Sequence, residues 1–118
     1  MKIKTFKELI VWQKAHQLTL EIYNITKNFP KYEEFILVNQ MRRCVVSVPS
    51  NIAEGFKRKS LKDSLHFYNM AEGSLEELKY QLLLAKDLSY IKEEKYNELI
   101  DFAEEVGKLL YGWKNSQR

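Results

Sequence analysis

Apolar residues recur every three or four positions along four successive stretches of this chain, a spacing that admits helices and little else. In the first stretch Val11, Ala15, Leu18, Ile22, Ile25 and Phe29 form one seam, the pattern of a helix packed at a shallow angle on its partners. Thr5-Phe6-Lys7-Glu8 has the S/T-x-x-E capping form ahead of it, and Pro30 closes it. The third stretch carries Leu61, Leu65, Tyr68, Ala71, Leu75, Leu78, Leu82 and Ala85, with Ser60 and Asp63 as a weaker cap signal. Gly73 interrupts that stripe, beside Ala71 and Ser74, where a close helix approach is expected. The fourth steps through Tyr96, Leu99, Ala103, Val106, Leu110 and Trp113. Two prolines and four glycines suit helices better than a turn-rich β design. The expectation is an all-α, up-down-up-down antiparallel four-helix bundle in one domain, residues 1–118, with helices at about 5–28, 32–57, 60–88 and 93–114.

Helix 2 departs from this plain pattern. Its seam is Leu37, Met41, Cys44 and Val48, yet Pro49 stands inside it, removing an N–H and freeing the carbonyl of Val45. A kink is expected there, with Ser47, Ser50 and Asn51 close enough to re-satisfy freed backbone groups. A second apolar set, Phe35, Val38, Val45, Val46, Ala53 and Phe56, lies roughly 70–170° from the seam at 100° per residue. So wide an apolar arc predicts a second wall from a neighbouring copy, with Phe35, Val38, Val45, Val46 and Phe56 at the interface of a homo-oligomer. Helices 1, 3 and 4 covering the whole arc is the competing reading.

The net charge of +3 hides an asymmetry: residues 1–62 carry +7, residues 63–105 carry −7, and the remainder +3. Arg42 and Arg43 on helix 2, with Lys57, Arg58, Lys59 and Lys62 around the next turn, make a candidate nucleic-acid-binding set, which Lys2, Lys4 and Lys7 extend. Mutual neutralisation of the two halves is the blander account. Glu54 reads either as an i,i+4 partner of Arg58 or as part of a polar network with Asn51 and Arg43 that fixes assembly register. Trp12 lies off the first seam with Leu9 and His16, and packing is favoured for it over base stacking. No signal-peptide core or 18-residue apolar run occurs, and the single Cys44 suits a reducing compartment, so a cytoplasmic protein without a membrane partner is expected.

Enzyme signals are missing from the sequence. A bundle di-metal centre needs two Glu-x-x-His motifs, whereas His16 has Gln13 three residues earlier and His66 has Asp63. Cys44 sits on a core seam, where cysteine acts as a small apolar residue. Gly55, Gly73, Gly107 and Gly112 are too dispersed for a phosphate loop. No metal, no cofactor and no catalytic residue is expected.

Arg42-Arg43, then Ser47-Val48-Pro49-Ser50-Asn51-Ile52-Ala53-Glu54-Gly55, then Arg58 and Ser60, resembles the signature of the four-helix-bundle proteins called 23S rRNA intervening-sequence proteins or S23 ribosomal proteins. Phe6 to Ala15, Phe29-Pro30, Ala71 to Leu78 and Tyr90-Ile91 extend the likeness over nearly the whole chain. Cys44 stands where the family usually has alanine, Val48 where isoleucine is common, and Ser89 where a glycine often closes the third helix. Within that signature Pro49, Asn51, Glu54 and Gly55 are assigned structural roles. The resemblance extends to the accessory protein of diversity-generating retroelements, and implies a basic ring of five that binds nucleic acid, RNA or DNA, and engages a reverse transcriptase or other protein. The functional expectation is a non-enzymatic pentameric scaffold associated with nucleic acid; the alternative is a protein-interaction adaptor that binds none.

Overall fold

The computed structural model describes residues 2–118, and among them the ordered elements are all helical. Four α-helices dominate: α1 (Ile10–Thr26), α2 (Asn39–Lys57), α3 (Leu61–Asp87) and α4 (Glu93–Ser116). Cross-helix contacts fix their directions, because residue numbers rise along one helix as they fall along its neighbour. Thr19 and Thr26 of α1 meet Val45 and Arg42 of α2, and Ser64 and Ser74 of α3 meet Gly55 and Ser47 of α2. Lys79 of α3 pairs with Glu104 of α4 and Lys114 of α4 with Glu72 of α3, while Lys14 and Glu21 of α1 pair with Glu105 and Lys95 of α4. The result is the expected antiparallel up-down-up-down bundle, 44 × 25 × 19 Å. The predicted seams form most of its core: Ala15, Leu18, Ile22, Met41, Val48, Tyr68, Leu78, Leu82, Leu99, Val106 and Leu110 are buried, joined by Ile52, which no seam included, while Leu61 of the third seam is exposed.

Helix starts differ from the expected bounds. Thr5 and Glu8 do form a capping box, but it caps a single 3-10 turn, Phe6–Glu8; Leu9 is extended (ψ 125°), and α1 starts at Ile10. Helix 2 is entered through a 3-10 turn, Lys31–Glu33, then a π turn, Glu34–Val38, in which one extra residue is accommodated before regular α geometry begins. The expected close approach at Gly73 is not found, since a Cβ there would meet nothing within 4 Å; Gly55 makes it instead. A Cβ on Gly55 would stand 2.5 Å from Cε1 of the buried Tyr68. Around this contact Ser64 Oγ donates to the Gly55 carbonyl (2.8 Å), Ser47 and Ser74 hydroxyls meet, and Cys44 Sγ donates to the Ser74 carbonyl (3.0 Å). Small side chains thus bring α2 and α3 together along their length.

Helical structure continues through Pro49 to Lys57. The flanking polar residues bond elsewhere than expected: Ser47 Oγ donates to the Cys44 carbonyl and Asn51 Nδ2 to the Ser47 carbonyl. The Val45 carbonyl that the proline frees is reached from α1, by the buried hydroxyl of Thr19 (3.3 Å), which also lies 2.9 Å from the Ala15 carbonyl. A buried carbonyl left without a donor is costly, and the single Thr19 proton, shared with the nearer Ala15 carbonyl, is a cross-helix donor within reach of the one that Pro49 leaves without its N–H.

At the other end of the bundle α3 closes in a Schellman turn, with Tyr90 N–H donating to the Ala85 carbonyl (2.8 Å) and Ser89 N–H to Lys86 (2.9 Å). Ser89 takes the left-handed conformation this requires, φ 66°. Glycine would hold that conformation without the Cβ penalty.

Two stability measurements follow from this packing. Gly55→Ala should cost about 1–3 kcal/mol in urea denaturation, because Tyr68 has to shift in a filled core. Thr19→Val should cost about 1–2 kcal/mol in the natural sequence and measurably less in a Pro49→Ala background, where residue 49 again donates to the Val45 carbonyl; equal costs in both backgrounds would dissociate Thr19 from the proline.

Candidate nucleic-acid interface and the apolar surfaces beside it

The basic residues divide into separate groups. Arg42 and Arg43 lie about 22 Å along α2 from Lys57, at 1.5 Å per residue, so they do not extend the cluster at the turn. Arg42 is also occupied: its Nε donates to Thr26 Oγ1 (2.9 Å), its Nη2 to the Tyr23 carbonyl (3.3 Å), and its guanidinium rests 4.8 Å from the Tyr23 ring centroid. It binds the last turn of α1, where a cation complements the helix dipole. In this position Arg42 joins α1 to α2. Arg43 is exposed.

Lys57, Arg58, Lys59 and Lys62 are all exposed around the turn from α2 to α3. Arg58 pairs with Glu54 at 2.6 Å and stacks over the Phe67 ring at 4.5 Å. Both partners are open to solvent, so the pair contributes a few tenths of a kcal/mol. Glu54 thus makes the i,i+4 pair expected of it, and within one chain the hydrogen bonds at Asn51 and Arg58 do not connect to Arg43. Ser60 caps α3, its hydroxyl accepting from Asp63 N–H at 3.1 Å. A hollow of about 240 Å³ opens beside this cap, lined by Arg58, Lys59, Ser60, Ser64, Trp113 and Gln117. Lys4 faces Lys57 across a larger hollow of about 600 Å³ whose walls include Phe6, Phe56 and Ser50.

The apolar residues assigned to a partner interface also separate. Val38 and Val45 are buried in the chain's own core, which corrects their assignment. The reason is that α2 runs between α1 and α3 and presents an apolar flank to each. Phe56 is half-buried against the core. Phe35 and Val46 remain outside, 84% and 37% exposed. Tyr32 and Ile36, which the spacing did not single out, are 72% and 60% exposed next to Phe35. Off-seam position was their available signal, as it was for Leu20 and Tyr23 on α1. Trp12 is half-buried, edge-on to Phe6 (4.9 Å) and stacked on His16 (5.1 Å), so it pins the N-terminal segment to α1.

Two titratable groups, Cys44 in the core and Tyr90 at the α3–α4 connection, are shifted upward. Burial, with the nearby Glu77 carboxylate adding to it, pushes the Cys44 thiol up to about 12. Glu77 accepts from Nε2 of the buried Gln81 (3.2 Å), a polar core residue with no seam signal to announce it. Hydrogen bonds to Tyr32 and Glu33 raise the Tyr90 phenol above the usual tyrosine range. Among the described residues no group of three or more His, Cys, Asp or Glu side chains is placed to hold a metal ion, and no helix is long and apolar enough to cross a membrane.

A family model described as 23S rRNA-intervening sequence protein matches residues 7–112. Among solved structures, a protein with unknown function from the S23 ribosomal protein family of Bacteroides thetaiotaomicron is similar at 27% identity and a TM-score of 0.79, over 89% of this chain and 98% of that one. No curated protein matches.

A raised thiol stays protonated and nucleophilically weak at neutral pH, and its reactivity grows only as pH climbs toward its own pKa. Ellman's reagent at pH 8 should therefore leave Cys44 untouched in the folded protein and titrate one thiol per chain in denaturant; rapid reaction in the native state would contradict its placement.

Proposed function

The chain belongs to the 23S rRNA-intervening sequence protein family, and from that premise we propose that it is a non-enzymatic scaffold which assembles with copies of itself into a ring of five and associates with RNA or DNA. One observation carries the reading: the placement of cations at the α2–α3 turn. Lys57 and Arg58 close α2, where positive charge complements the helix dipole. Lys59 and Lys62 flank the start of α3, the positive end of that dipole, where cations work against folding. Of the four, Arg58 alone takes part in an ion pair among the described residues. A site that concentrates unpaired cations at a helix N-terminus suits an anion supplied from outside, and a nucleic-acid phosphate has the required charge and oxygen geometry.

Assembly multiplies this effect. A net charge of +3 per chain is modest, but five turns repeated about one axis produce a strong local field. Lys57, Arg58, Lys59 and Lys62 are the proposed contacts, with Arg43 and Lys4 as outlying ones. Such contacts give affinity without sequence preference, so specificity falls to a protein partner, a reverse transcriptase or another. The cytoplasm, where Cys44 stays reduced, is the proposed location. The exposed Tyr32 and Phe35 favour a second reading, an adaptor whose ring binds protein alone.

Titration of labelled RNA and DNA at two salt concentrations tests the proposal. Four or more phosphate contacts per site predict an affinity loss of about 100-fold between roughly 50 and 200 mM salt, and Arg58→Ala with Lys59→Ala should lower both the affinity and the salt slope. Absence of binding at low salt would leave the adaptor reading.

A further inference from the structure

At the loop end of α2 the side chains of Tyr32, Phe35 and Ile36 stand in solvent, 72%, 84% and 60% exposed, while the next two residues of the π turn, Leu37 and Val38, point into the core. This knob is not a loose tip. Glu33 accepts from Leu37 N–H (3.4 Å) and from the Tyr90 hydroxyl (2.7 Å), so its base is tied both to its own turn and to the α3–α4 connection. A firm projection exposing on the order of 400 Å² of apolar surface is costly in water unless something covers it. π turns interrupt helices most often where a helix does more than pack.

The matching concavity lies elsewhere on the same chain. Two hollows run along α2, one of about 600 Å³ against the N-terminal segment and one of about 450 Å³ against α1; they share Phe6, Ser50 and Ala53 and so form one trough. Its upper part is walled by Trp12, Leu20, Tyr23 and Val46, with Leu20 56% exposed. Phe35 cannot fill it from within, because eleven residues of one helical rod, about 16 Å, separate it from Val46. The charges are complementary on balance. Glu33 and Glu34 sit in the knob turn, with Lys31 as the single cation there; Lys4 and Lys57 line the lower trough together with Glu54, whose carboxylate is already paired with Arg58, and the Arg42 guanidinium lies over the Tyr23 ring.

We infer that the trough of one copy receives the Phe35 knob of a second copy of this chain, Phe35 and Ile36 against Leu20, Tyr23 and Val46, with Glu34 toward Lys57 or Lys4. The inference rests on the self-assembly proposed above and names the surfaces through which it occurs. Each copy carries one knob and one trough, so each has two distinct halves of the contact to offer. Damage to one half leaves the other intact, and that property supplies the test.

Phe35→Glu removes the knob and keeps the trough; Leu20→Glu does the reverse. Both positions are exposed, and a circular dichroism spectrum and urea midpoint matching the natural protein establish that each variant is folded, with Phe35→Ser and Leu20→Ser as substitutes. Light scattering across a concentration series should show each variant alone dissociated, its half-assembly concentration raised about 30-fold or more. Mixed in equal amounts they should recover a 1:1 pair, joined by the one intact knob and the one intact trough, and nothing larger. Continued full assembly of Phe35→Glu, or no pairing in the mixture, overturns the inference while the ring survives. A natural protein that forms a two-copy species through these residues keeps the inference and removes the ring, and one that stays single at millimolar concentration removes both.

Discussion

The rest of the structure depends on how closely α2 and α3 approach. At Gly55 the absence of a side chain lets the Tyr68 ring lie against the backbone, and the Ser47–Ser74 and Cys44–Ser74 contacts carry the same close spacing up the helix pair. Tyr68 is one of the largest fully buried side chains, so the position of this one ring determines how the core layers above and below it fit. That approach also aims the α2–α3 turn: Ser64 holds the Gly55 carbonyl just before Lys57, Arg58 and Lys59 leave the helix. The basic turn thus projects from the most tightly packed seam of the bundle, which limits how far its cations can move relative to one another.

Much of this was legible in the pattern of apolar spacing, because the seams of all four helices register the same fact, one face turned inward. Positions such as Leu18, Met41, Leu78 and Val106 could hardly be elsewhere. Spacing alone did not reveal how many neighbours a helix has. Val38 and Val45 lie away from the Leu37–Val48 seam, yet they are buried because α1 and α3 flank α2 on two sides. A wide apolar arc therefore has two causes, and only the residues left outside, Phe35 and Val46, speak for a partner.

Local sequence reasoning met a similar boundary at Pro49. The freed Val45 carbonyl was identifiable from the proline, but its donor, Thr19, is 26 positions from the acceptor and on another helix. Nearby serines and asparagine were the obvious candidates, and they bond other carbonyls. At the candidate interface the contrast between Arg42 and Lys59 has the same origin. Both read as free cations in sequence; in the fold one is spent on the end of α1, and the other stands where folding gains nothing from it.

The single wide turn at Glu34–Val38 gives the entrance of α2 a degree of slack that no other helix start here has. A chain that loses one residue in this segment can revert to ordinary α winding, and one that keeps it bulges, with Leu37 and everything inward of it held in place by the core. What changes between those two outcomes is the compass bearing of the aromatic side chain at the tip, by about 100° per residue. An insertion or deletion in this segment would therefore re-aim that tip, while the bundle beneath it stays the same.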